Sequence, residues 1–154
     1  MSHRAAIARQ TAAGLHHFAA GPVVPVMVGF DGFVDSIIRV VDKRRDADRY
    51  EPVPTIERFG RKIVSAAGKS ANYELVTTQD KLGGNGPIMA NAMAAAGLAV
   101  TYIGALGYPS LHPVFEPLAR RAEGYSVAEP GYTDALEFDD GKLMFGNMKS
   151  LDEV

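Results

Sequence analysis

Two aspartates stand close together directly after the first apolar run of the chain, in Gly29-Phe-Asp-Gly-Phe-Val-Asp35. Asp31 and Asp35 are four residues apart, so they can share one side of an extended segment. Carboxylates in such a position could accept hydrogen bonds from a polyol or coordinate a hard cation. The alternative is structural: one aspartate caps a turn and the other is solvated.

A second candidate is the glycine-rich segment Gly83-Gly84-Asn85-Gly86, which precedes Pro87 and a run of small residues. If a helix begins at Pro87, the free backbone N–H groups before it could cradle an anion or a polar ligand. The alternative is a tight turn that permits close helix packing. The segment is not a dinucleotide fingerprint, because Met89 stands where a third glycine is needed. It is not a Walker loop either, since no Gly-Lys-Ser/Thr follows.

Composition excludes several classes of protein. The chain has 154 residues, of which 47% are hydrophobic and 22% charged, and this indicates one domain over residues 1–154. A net charge of −2 argues against a general nucleic-acid binder. The absence of cysteine excludes disulfides and thiolate zinc sites, and the histidines lack the neighbours of a metal site. No segment reads as a signal peptide or a membrane span, so we expect no membrane partner and a cytoplasmic location.

The apolar periodicity predicts alternating helices and strands. Residues 23–29 form an apolar run that favours a parallel strand buried on both faces, with Pro25 near its start. Thr55 is the predicted N-cap of a helix with Ile63 and Val64 on its apolar face, and Gly68 is its predicted end. Further helices are predicted before Gly21, over 88–96 and over 113–123, and a further strand over 99–104.

Two segments predict a small antiparallel piece beside the main sheet, namely residues 36–41 and 72–78. In the second, residue types alternate, with Tyr73, Leu75 and Thr77 on one face. Residues 42–54 carry charges of both signs and are predicted to be a solvated loop. Asp139-Asp140-Gly141 predicts a hairpin turn. The predicted fold class is therefore α/β: a mainly parallel sheet flanked by helices, with a small antiparallel β lid.

Taken together, the two motifs resemble those of the ribokinase-like (PfkB) carbohydrate kinases. In that family an apolar strand ends in glycine, an aspartate follows, a small lid comes next, and a Gly-Gly motif opens a helix. The matching residues run from Gly83 to Ala90, with Gly97 and Gly107 beyond, and Ile88 stands where the family usually has Asn. The resemblance covers residues 23–146, the N-terminal half of such kinases. The motifs also look similar to those of the ADP-dependent sugar kinases.

The resemblance implies the substrate-binding half of a sugar or nucleoside kinase, with ATP or ADP and Mg²⁺ as the phosphoryl donor system of the intact enzyme. No catalytic residue is assigned, because the family's Gly-x-Gly-Asp motif is absent from this sequence. We therefore expect a chain that is either truncated or encoded short, that is inactive alone and that binds no nucleotide tightly. The alternative is a non-catalytic sugar-binding or dimerisation module, with a homodimer formed through the lid. The residues that would hold the acceptor are Asp31, Asp35, Gly83, Gly84 and Asn85.

Overall fold

The computed structural model describes residues 3–19 and 21–147, and it shows the predicted α/β fold. Residues 1, 2, 20 and 148–154 of the predicted domain lie outside the described residues. The elements in chain order are α1 (His3–Ala19), β1 (Pro25–Val28), β2 (Phe33–Arg44), β3 (Tyr50–Pro52), α2 (Ile56–Ser65), β4 (Leu75–Gly83), α3 (Asn85–Ala95), β5 (Ala99–Gly104), a 3₁₀ turn (Pro113–Phe115), α4 (Glu116–Ala119), β6 (Glu123–Ser126), β7 (Gly131–Phe138) and β8 (Gly141–Asn147). No helix within those described ranges is long and apolar enough to cross a membrane.

Three strands form a parallel sheet in the order β1-β5-β6. Its inner face, which includes Val28 and Val100, packs in one cluster with apolar residues of α3 and α4. The expectation that β1 is buried on both faces is wrong, because Val28 is 7% exposed and the neighbouring Met27 is 70% exposed. Within the described residues only one face of this sheet is covered, so burial alternates along the strand.

The second sheet, here called the lid, has β2 at its centre and β4 and β7 on either side. β4 runs antiparallel to β2, from Phe33 opposite Gly83 to Val40 opposite Leu75, so the two predicted lid segments do pair. The lid is larger than predicted, however, since it has five strands and is mixed. β7 pairs with β2 in parallel, β8 pairs antiparallel with β7, and β3 pairs with the end of β2. Non-local pairing of this kind leaves no signal in a local pattern.

Residues 42–54 are not the predicted solvated loop. β2 continues to Arg44 and turns back into β3, so the charged segment is largely a hairpin. Several of its charges are paired: Arg45 Nε lies 2.8 Å from Glu51 Oε1, and Asp42 pairs with Arg58 and Lys62 of α2. Opposite charges placed across strands support a sheet edge as readily as a loop.

The helices lie where they are predicted, but their lengths differ from the prediction. Thr55 caps α2 as predicted, with its Oγ1 accepting from the Arg58 N–H at 3.1 Å. Phe59 is buried against the lid, but Ile63 and Val64 are 48% and 74% exposed, so the predicted apolar face packs only near its start. The C-cap is Ala66. The helix expected over 113–123 is only the 3₁₀ turn and α4, because residues 123–126 pair with β5 as strand β6.

Candidate acceptor site

The candidate site lies where the chain crosses from β1 to β2, over the end of β5. Phe30 O accepts a hydrogen bond from Ala105 N at 3.1 Å. A Cβ on Gly29 would lie 2.6 Å from Ile103 O, and one on Gly32 would collide with Ala105 O. Only glycine permits so close a crossing. The crossing therefore sets Asp31 and the start of β2 at the carboxyl end of the parallel sheet, where open α/β sheets bind ligands.

Asp31 caps the N-terminus of α3. Its Oδ2 accepts from Asn85 N and its Oδ1 from Gly86 N, both at 2.8 Å. Gly84, with a φ of 89°, is the N-cap residue and provides no side chain, so the carboxylate comes from a distant part of the chain instead. A negative charge at this end of a helix is also favourable electrostatically.

This cap corrects two expectations about the glycine-rich segment. The helix begins at Asn85, so Pro87 is its third residue and not its first. The N–H groups of Asn85 and Gly86 are not free to cradle an anion, because they donate to Asp31. The structural alternative for Asp31, a capping role, is thus what the geometry shows. Its predicted contact with a sugar stays a prediction.

Asp35 is placed differently. It is the third residue of β2, half-buried, and a Cβ on Gly83 would lie 2.5 Å from its Oδ2 and its Cγ. Its carboxylate therefore rests against the bare backbone of Gly83, the last residue of β4. Lys81 and Thr133 are its neighbours across β4 and β7. Within the part of the chain that the structure describes, this carboxylate has neither a hydrogen bond nor an ion pair. A half-buried acceptor without a protein donor is suited to a ligand that supplies one.

The five predicted site residues thus come together around the start of α3. Gly83 lies under Asp35, and a Cβ on Gly84 would lie 2.9 Å from Asp31 Oδ2. Asn85 donates its backbone N–H to Asp31 and is exposed, so its side-chain amide can reach a ligand.

Sequence reasoning missed Tyr102, which was placed only as part of a strand. Its hydroxyl donates to the backbone oxygen of Asp31 and lies 3.4 Å from Asp31 Oδ1. Burial, with the Asp31 charge as a lesser cause, raises the pKa of Tyr102, so the hydroxyl stays protonated. The available signal was a polar tip within an apolar strand, since a buried tyrosine hydroxyl needs a partner.

Metal-ligating side chains are not clustered in the described part of the chain. Among residues 3–19 and 21–147, no three side chains of His, Asp or Glu lie together in a way that could hold a metal ion. The Gly-x-Gly-Asp motif is also absent from the sequence.

Solved structures that align with this chain include sugar and nucleoside kinases. A nucleoside kinase of Methanocaldococcus jannaschii, an archaeal member of the ribokinase family, aligns at a TM-score of 0.47 and 10% identity, over 87% of this chain and 40% of that one. A ribokinase of Arabidopsis thaliana, solved with ribose and ATP, aligns at a TM-score of 0.39 and 14% identity, over 82% of this chain and 36% of that one.

Sequence comparison is more specific. The family model for prokaryotic ketohexokinase matches residues 7–154. A ketohexokinase of Haloferax volcanii is 34% identical over 128 residues, which make up 82% of this chain. The aligned part is 34% of that protein, so the chain spans about a third of the length of this relative. Neither match supports the ADP-dependent branch, whereas the relation to sugar kinases is shown. The chain belongs to the prokaryotic ketohexokinase family.

Proposed function

We propose that this chain forms the acceptor-sugar site of an ATP-dependent ketohexokinase, and that it holds a ketohexose while one hydroxyl receives a phosphoryl group. The half-buried Asp35 carboxylate beside Gly83, which has no partner among the described residues, carries this proposal. A sugar offers neighbouring hydroxyl donors, and one carboxylate can accept two of them. The family relation supports a ketohexose as the sugar.

Each residue then has a distinct part in binding. Asp35 accepts from the sugar hydroxyls, and Gly83 leaves room for its carboxylate. Asp31 holds the start of α3, which presents Gly84 and the exposed Asn85. In the intact kinase, a phosphoryl donor with Mg²⁺ would supply the transferred group and neutralise its charge. The residues of this chain are assigned to the acceptor only.

The test is calorimetric titration of the 154-residue chain with D-fructose, before and after Asp35→Asn. A charge-assisted hydrogen bond contributes about 1.5–3 kcal/mol, so loss of one raises Kd about tenfold or more. Asp80→Asn is the matched control, because Asp80 lies on β4 and its Oδ1 already accepts from Ser36 Oγ at 2.6 Å. Equal Kd values for wild type and Asp35→Asn, or no fructose binding by the wild type, would refute the proposal.

A second candidate function is association of two copies through the lid, either beside sugar binding or in a non-catalytic module. The exposed residues of β8 favour it, since Met144 and Phe145 are 57% and 54% exposed on a strand with one unpaired edge in the described sheet. Exposed apolar side chains on an edge strand favour pairing with another chain. Light scattering on the same samples distinguishes one chain from two. A monomeric mass at all concentrations would exclude this candidate.

A further inference from the structure

Tyr102 on β5 is completely buried between two glycines. A Cβ on Gly86 would lie 2.6 Å from the Tyr102 hydroxyl, and one on Gly104 would lie 2.7 Å from its Cε1. The ring therefore fills a space that α3 and β5 leave by having no side chain at these positions. A phenylalanine would fill nearly the same space, so packing alone does not explain a tyrosine.

The Tyr102 hydroxyl connects three parts of the site. It donates to the backbone oxygen of Asp31, and the carboxylate of the same Asp31 accepts from Asn85 N and Gly86 N of α3. The residue pair Tyr102–Asp31 thus joins β5, the crossing from β1 to β2, and the start of α3. The two residues before α3 are Gly83 and Gly84, and Gly83 is the surface on which the Asp35 carboxylate rests.

We propose that Tyr102 is a positioning residue for acceptor binding. Its hydroxyl fixes the position of Asp31, and the Asp31 carboxylate fixes the start of α3. The start of α3 in turn determines where Gly83 lies beneath Asp35. The hydroxyl itself touches no sugar in this account. The inference rests on the proposed function, because what Tyr102 positions is the predicted sugar-binding carboxylate.

Tyr125 on the neighbouring strand β6 is a matched control. Its side chain is 51% exposed, and its hydroxyl lies 2.5 Å from Glu123 Oε1, two residues away on the same strand. Tyr125→Phe removes the same atom from the same residue type without touching Asp31 or α3. A general cost of losing a tyrosine hydroxyl therefore shows in both variants.

The experiment measures D-fructose affinity, thermal unfolding and amide hydrogen exchange of the 154-residue chain and its Tyr102→Phe and Tyr125→Phe variants. For Tyr102→Phe we expect the Kd for fructose to rise on the order of threefold to tenfold, the effect of losing one neutral hydrogen bond. We also expect faster exchange at the amides of Asn85 and Gly86, because Asp31 is held less firmly. Tyr125→Phe should change neither.

The outcomes separate the two proposals. Fructose binding by the wild type with the same Kd in Tyr102→Phe would overturn the positioning role alone. A lower unfolding temperature with unchanged Kd and unchanged exchange would make Tyr102 a packing residue only. No fructose binding by the wild type would overturn the proposed function, and the positioning role with it. If Tyr102→Phe does not fold, Asp31→Asn tests the same connection, and an unchanged Kd there would overturn it as well.

Discussion

Gly83→Ala tests the contact that places the Asp35 carboxylate. The added Cβ would lie 2.5 Å from Asp35 Oδ2 and Cγ and 2.6 Å from Oδ1, closer than atoms of these kinds approach one another. Gly83 has no positive φ, so its backbone accepts alanine without strain. The substitution therefore acts on the side chain of Asp35 and not on the strand that carries it.

The size of the effect follows from the distance. The carboxylate must move about 1 Å to reach an ordinary contact, which is enough to break one charge-assisted hydrogen bond to the sugar, worth about 1.5–3 kcal/mol. We expect the Kd for D-fructose to rise about tenfold to a hundredfold. Stability should change by about 1 kcal/mol or less, because alanine also lowers the entropy of the unfolded chain.

Calorimetric titration and urea denaturation of the same preparations measure both quantities. Gly124→Ala on β6 is the matched control, since its Cβ would meet only Leu106 Cδ1 at 3.7 Å, an ordinary contact. Unchanged fructose affinity in Gly83→Ala, with the fold intact, would show that the position of the Asp35 carboxylate does not govern binding. A large loss of stability that accounts for the weaker binding would show instead that Gly83→Ala acts by unfolding the chain and not by moving the Asp35 carboxylate.

Two further predictions concern stability. The pKa of Asp42 lies below its ordinary value because Lys62 donates a hydrogen bond to it and because Lys62 and Arg58 are positively charged. The stabilisation from this carboxyl is fully present above its unfolded-state pKa of about 3.9 and is lost as pH falls through the lower folded-state pKa. Urea midpoints of the wild type should fall over that range more than those of Asp42→Asn, and parallel curves would contradict this. A Cβ on Gly60 in α2 would meet no atom of the described residues within 4 Å. For Gly60→Ala we therefore expect a gain of about 0.5–1 kcal/mol in the urea-unfolding free energy, and a loss would contradict it.

Local signals predicted the elements of this fold better than their ends. Thr55 does cap α2, and Asp139 and Asp140 do form the turn between β7 and β8, because capping and hairpin turns depend on a few neighbouring residues. The end of β2 and the β3 strand were missed, since residues 42–54 look like a solvated charged loop until their partners are known. α4 is shorter than predicted because residues 123–126 pair with β5 as strand β6, and this partner too is unknown from the sequence alone.

For the site, the sequence by itself identified which residues to consider. A glycine and two aspartates after an apolar strand, and a Gly-Gly pair before a helix, are local patterns that pointed to Asp31, Asp35 and residues 83–85. Only the tertiary structure shows what each carboxylate contacts. Asp31 is occupied by amides 54 and 55 residues further along the chain, whereas Asp35 has no protein partner among the described residues. The contact of Tyr102 with the candidate site is also visible only in the tertiary structure, because its hydrogen bond to Asp31 spans 71 residues. A hydrogen bond between distant segments depends on how the strands and α3 pack, and no local pattern of residue types records that packing.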